Sequence, residues 1–259
     1  MKKKIIQVVV SFAVLVAVWQ CLGMITGANQ ALFPLPLKVA RAWGELLTKG
    51  LAGSTSAVTL FGHIKISLMR FFIGYISAAV IGVFLGLLLG SYPKVFAYIN
   101  PVLQLIRPIA PVAFMPFIVF WFGIGDIPAV VIIFIAGFFP ILLSTVSAVG
   151  HVNPIYYKVA KSFGVGRVKT IFGIVFPAIF TQIMNSLRLA LGTSWIFLVS
   201  GEMVGAQSGL GFLVMDTKNC MRFDSLIATI ITIGIIGFLL DSIVRMIEKW
   251  VGQKFGYGV

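Results

Sequence analysis

The chain has 259 residues, 59% of them hydrophobic and 10% charged. A soluble domain carries about 25% charged residues, so the composition excludes a water-soluble globular protein and predicts one all-α, polytopic membrane domain over 1–259 with about six transmembrane helices. The net charge of +13 rests on 20 Lys and Arg against 7 Asp and Glu; scattered between apolar runs, these cations suit membrane flanks and lipid headgroups and argue against nucleic acid as a partner.

Lys2, Lys3 and Lys4 precede an apolar run to Ile25. That run is too long for a signal-peptide core and no clean cleavage site follows, so it is read as a retained first span. Cys21 and Cys220 are too few for a disulfide framework and read as packing residues. Thr26 to Lys65 is the longest extramembrane segment, and residues 1–65 form the first span plus this external part. Phe33-Pro34-Leu35-Pro36 is a rigid turn, followed from Leu37 to Leu47 by an amphipathic, interfacial helix. The second span, Ile66 to Ser91, opens a core region over 66–247. It repeats Gly74, Ala78, Gly82, Gly86 and Gly90 at every fourth position, a small-residue face suited to close helix packing.

Tyr92-Pro93-Lys94 reads as a tight turn. The third span, Tyr98 to Phe122, holds Pro101, Pro108, Pro111 and Pro116 together with Arg107. Prolines leave carbonyls without helical partners, and such backbone is tolerated at membrane depth where it is buried in protein or lines a wet cavity. The span is therefore a candidate for lining a pathway; a kinked helix that only packs is the alternative. Gly123 to Asp126 is an external turn, Ile127 to Val149 the fourth span, Ile183 to Val204 the fifth. A loop from Gln207 to Asp224 leads into the sixth, Ser225 to Ile247.

Between the fourth and fifth spans lies the polar, basic stretch Asn153–Pro177. Asn153 is a good N-cap with Pro154 at the first helical position, and Gly164 supplies a left-handed stop. Lys158, Lys161, Arg167 and Lys169 lie along it. The residues alone admit a docking helix or a plain basic loop. With the N-terminus inside, inner segments hold eleven basic residues against one acid, outer segments six against four. The positive-inside rule thus puts both termini and this stretch in the cytoplasm, in a plasma or inner membrane.

No Walker A motif, zinc-protease motif, paired cysteines or nucleophile elbow occurs, so neither ATP hydrolysis nor another catalytic activity is expected, and no metal site. His63 and His151 read as incidental. The intramembrane ionisable residues Arg107, Arg188, Glu202 and Asp241 mark functional or paired groups; Arg188 and Asp241 suit a pair, while Arg107 and Arg188 also suit the passage of an anion. An ATPase-independent secondary transporter or channel is the alternative function, though it predicts inverted repeats that are not evident.

The 153–177 stretch resembles the "EAA" loop of ABC-importer permeases: Ala160, Gly164, Ile174 and Pro177 fall on its spacing, with Lys158, Val159 and Phe176 as departures. Arg107-Pro108-Ile109-Ala110-Pro111, Trp121-Phe122-Gly123-Ile124-Gly125, Leu187-Arg188-Leu189-Ala190-Leu191-Gly192 and Ser208-Gly209-Leu210-Gly211 are similar to segments of the nitrate/sulfonate/taurine group. The resemblance implies a type I ABC importer permease with a cytoplasmic coupling helix in loop 150–180; relatives of this kind carry sulfonates, taurine, nitrate or thiamine-precursor pyrimidines, and Arg107 and Arg188 favour an anion. The coupling residues it implies are Tyr157, Lys158, Ala160, Lys161, Phe163, Gly164, Ile174 and Pro177. Pathway candidates are Arg107, Pro111, Met115, Arg188, Trp195 and Glu202. It implies no cofactor in this chain, ATP and Mg residing on a partner ATP-binding subunit, plus an extracytoplasmic substrate-binding protein, a second permease copy and membrane lipid as partners.

Overall fold

The computed structural model describes residues 2–25, 33–53 and 58–254, and every regular element among them is helical. In chain order these are α1 (Lys2–Ile25), α2 (Pro36–Thr48), α3 (Leu60–Ser91), α4 (Pro93–Ile106), a 3-10 turn over Pro111–Phe114, α5 (Met115–Phe122), α6 (Asp126–Gly150), α7 (Pro154–Ser162), α8 (Arg167–Thr170), a π-helical turn over Ile171–Val175, α9 (Phe176–Ala178), α10 (Phe180–Gly205), α11 (Leu210–Asn219) and α12 (Phe223–Lys254). Parts of the expected external segment, residues 26–32 and 54–57, lie outside the described residues.

Four helices, α3, α6, α10 and α12, are long and apolar enough to cross a membrane, and the pair Pro93–Ile106 and Pro111–Phe122 adds a fifth if it counts as one span. The 24-residue α1 holds the remaining apolar run, Ala13–Met24. Several boundaries differ from the sequence expectation. The second span starts at Leu60, so Lys65 lies inside a helix rather than in a loop. Pro93 opens α4, its fixed φ suiting the first helical turn, which leaves Tyr92 alone between helices. The third span is two helices meeting at 85°. The supposed loop 207–224 contains α11.

The chain forms two compact units. The first comprises residues 1–66 and 208–235. Within it α2 buries Val39, Ala42 and Leu46 on one face, and Arg222 bonds both Glu45 of α2 (3.1 Å) and Asp224 (3.0 Å). The Asp224 hydrogen bond leads the causes that hold the Arg222 guanidinium above its ordinary pKa. His63 is fully buried, accepts a hydrogen bond from the Gly209 amide at 3.0 Å and stacks on Phe212. It is a structural residue, not an incidental one.

The second unit comprises residues 67–207 and 236–259. Its centre is the contact between α3 and α6. Gly74 meets Ile133, Ala78 meets Gly137, Gly82 meets Ile141, Gly86 meets Thr145 and Gly90 meets Val149. Both partners advance together along the sequence, so the two helices run parallel. The fit is tight: a Cβ on Gly86 would stand 2.5 Å from Thr145 Cβ. The opposite face of α3 exposes Phe72, Ile76, Val80 and Phe84, a surface fit for lipid. On its other side α6 packs antiparallel to α10, with Ser194 Oγ donating to Ile133 O at 3.3 Å and Gly201 against Ala129.

Candidate functional site

Three regions of the second unit place the candidate residues. The first is a helical elbow between α6 and α10. Asn153 Oδ1 accepts from the Ile155 amide at 2.9 Å and caps α7. Gly164, at φ +68°, reverses the chain while the Val165 amide returns to Ala160 O at 2.9 Å. This closes the α7 carbonyls without a side chain, as a left-handed glycine cap does. α8 then leads away, and Ile171, Val175 and Ile179 are buried with Ala148, Val149 and Val152 of the α6 end and Ile183 of α10. The elbow is therefore fused to the ends of two long helices.

The side chains of α7 divide sharply. Ala160 is 2% exposed and faces the core, while Phe163 is 80% exposed and Ile155, Tyr156 and Val159 are also open. Tyr157 is half-buried, and that burial raises its phenol pKa. Lys158 and Lys161 are exposed; Ile174 and Pro177 are half-buried. Arg167 lies 5.0 Å over the Tyr92 ring, a cation–π contact joining the elbow to the end of α3.

The second region is the break in the third span. Arg107 closes the last turn of α4, its amide donating to Leu103 O at 2.9 Å, and the chain leaves helix geometry over Pro108–Ala110, where Pro108 and Pro111 cannot donate to the ladder. A cavity of about 270 Å³ opens there, bordered by Arg107, Pro111, Phe139, Thr193 and Phe197. A second, of about 550 Å³, is lined by Asn100, Gln104, Arg107, Pro108 and Leu143. Of the pathway candidates, only Arg107 and Pro111 border these spaces. Met115 is buried beside Gly205, and Trp195 packs edge-on against Phe71 with Gly237 beneath it. Arg188 Nε donates to Asp241 Oδ1 at 2.8 Å, the pairing expected from sequence.

The third region is a buried ionic cluster that sequence reading missed. Arg70 of α3 is 3% exposed; its Nη1 donates to Glu202 Oε1 at 2.8 Å, and the guanidinium also pairs with Asp126 at the start of α6. Ser67 Oγ lies 2.8 and 2.9 Å from the two Glu202 oxygens. The adjoining turn has Gly123 and Gly125 at positive φ, and the Gly125 amide donates to Gly205 O at 2.9 Å. Glu202 is thus a fully buried anchor joining α3 to α10.

Four helices long and apolar enough to cross a membrane, with a sharply bent pair between two of them, define the class as a polytopic membrane protein. Residues 78–253 match the family described as "Binding-protein-dependent transport system inner membrane component". The chain is 30% identical to the putative aliphatic sulfonates transport permease protein SsuC of Bacillus subtilis, over 92% of this chain and 83% of the relative. It is 31% identical to the nitrate import permease protein NrtB of Leptolyngbya laminosa, over 96% and 88%. The solved inward-facing MetNI methionine ABC transporter shares the fold, with TM-score 0.58 and 20% identity over 72% of this chain and 95% of that one. The chain belongs to the family of inner membrane components of binding-protein-dependent transport systems. It is a non-catalytic, multi-pass permease subunit of an ABC importer, with ATP hydrolysis on a separate subunit and a substrate-binding protein as a further partner. Membership in that family sets aside the ATPase-independent transporter.

Proposed function

We propose that two copies of this chain form the membrane pathway of an importer for a small oxyanion, a sulfonate, taurine or nitrate, and that the ATPase drives each copy through residues 153–177. The observation behind the coupling role is the elbow itself. Its helix is capped at both ends, its outer face is apolar and basic, and its inner side is packed into the ends of α6 and α10. A push on α7 would then reach two transmembrane helices without being absorbed by a slack loop. Phe163, Tyr157, Lys158 and Lys161 supply the docking side. Ala160, Gly164, Ile174 and Pro177 set the shape of the lever. Exposed Ile155, Tyr156 and Val159 extend the docking face beyond the residues expected from sequence. In this arrangement the whole chain acts as one permease domain, both termini and the elbow are cytoplasmic, and lipid covers the outer faces.

The oxyanion reading is supported by the sulfonate and nitrate transport named for the relatives and by the cationic break at Arg107. The experiment is ATP-driven uptake of labelled taurine and labelled nitrate into liposomes holding permease, ATPase and binding protein. Uptake of either, abolished by Phe163→Asp with the permease still inserted, is the expected result. Undiminished uptake by that variant would refute the coupling role.

A further inference from the structure

We propose that Asn100, Gln104 and Arg107 form an anion track on one face of α4, a transient station for a polyatomic oxyanion at half membrane depth. This rests on the import reading above and names the residues that would handle the solute once it is inside. The three positions are separated by four and then three residues, which stacks them along one helix face. They line the same 550 Å³ cavity, and Arg107 borders the adjoining 270 Å³ cavity as well.

Depth follows from the walls. The smaller cavity is bordered by Ala136 and Phe139 of α6 and by Thr193 and Phe197 of α10, residues near the middle of helices 25 and 26 residues long. A guanidinium at such depth is costly and normally paired. Two other arginines of the spans are paired: Arg70 holds Glu202 and Asp126, and Arg188 holds Asp241. Arg107 differs. Its side chain has no hydrogen-bond or ion-pair partner among the described residues, nor do those of Asn100 and Gln104, and no acid lines either cavity.

The chemistry then selects the ligand. A guanidinium presents a planar fork of N–H donors that matches two oxygens of a sulfonate, nitrate or carboxylate-like anion. The amides of Gln104 and Asn100 continue the donor row toward the Pro93 end of α4, without a fixed charge. A charged station followed by neutral ones holds an anion strongly enough to enter and weakly enough to leave. An apolar solute gains nothing from this row, and the Arg107 charge repels a cation.

The test uses the assembled transporter in liposomes with labelled nitrate and labelled taurine. Arg107→Gln is expected to lower maximal uptake on the order of tenfold, the loss of one charged hydrogen-bonded contact, while ATP hydrolysis continues and more ATP is spent per solute. Arg107→Lys should retain most uptake. Arg107→Gln combined with Gln104→Arg, which moves the charge one turn, should recover part of it; a merely structural arginine would show no such rescue. Gln104→Leu and Asn100→Leu should each slow uptake severalfold with normal insertion, and they decide the matter if Arg107→Gln fails to insert. Wild-type uptake in Arg107→Gln or, failing that variant, in both leucine variants overturns the track. Wild-type protein that imports neither anion but does import a neutral or cationic solute overturns the oxyanion reading on which the track rests.

Discussion

Glu202→Ala tests the buried cluster. The substitution removes the carboxylate that accepts from Ser67 and from Arg70 at 2.8 Å. Arg70, 3% exposed, keeps its pair with Asp126, whose side chain is 73% exposed. Removing one member of a buried pair costs about 3–5 kcal/mol; because Asp126 remains, the lower end applies. About 3 kcal/mol corresponds to roughly a 150-fold change in the unfolding equilibrium and to a melting shift of about 6–12 °C for a chain of this size. The assay is thermal unfolding of purified permease in detergent. Arg70→Met with Glu202→Leu should recover most of the loss, since an apolar replacement of similar volume leaves no unpaired buried charge. If the single variant melts within about 1 °C of wild type, or the double melts no higher than the single, the anchoring argument fails. The double variant also tests Glu202 as a pathway residue: normal uptake removes it from that role.

Gly164→Val places a β-branched residue at φ +68°, a strain of about 1–2 kcal/mol or more; the expected outcome is retained insertion with ATP hydrolysis uncoupled from uptake, read by the ratio of the two rates. Gly86→Leu should push α3 from Thr145 and cost about 1–3 kcal/mol, seen as lower folded yield, whereas Gly44→Leu, with nothing within 4 Å, should not. Arg188→Asp should reduce folded yield, and adding Asp241→Arg should restore part of it, the remainder being lost because Arg245, which also bonds Asp241 at 2.8 Å, would then face a like charge; a yield unaffected by the single change would show that the 2.8 Å pair contributes nothing.

Local signals carried much of this structure. Asn153, Pro154 and Gly164 delimit α7 because capping depends on near neighbours, and the prolines of the third span foretold a break because a missing donor acts within one turn. The glycine repeat of α3 showed a packing face but not its partner: Ile133, Ile141, Thr145 and Val149 look like any other apolar or small positions until the helices meet. Arg70 had a visible signal, an arginine inside an apolar run, yet its partners lie 56 and 132 residues away. His63 likewise gained its role from Gly209, 146 residues distant. The π-helical turn at Ile171–Val175 had no legible cue.

The parallel packing of α3 and α6 decides a question of parity. Two neighbouring spans that point the same way begin on the same side of the bilayer. The end of α3 and the start of α6 must then face opposite compartments, so the residues joining them cross an odd number of times. With only α4, the break and α5 available, that number is one. The 85° bend is a detour within a single traverse, not a dip that returns to its own side. Arg107 stands at the corner of that detour, between the two ends of the traverse.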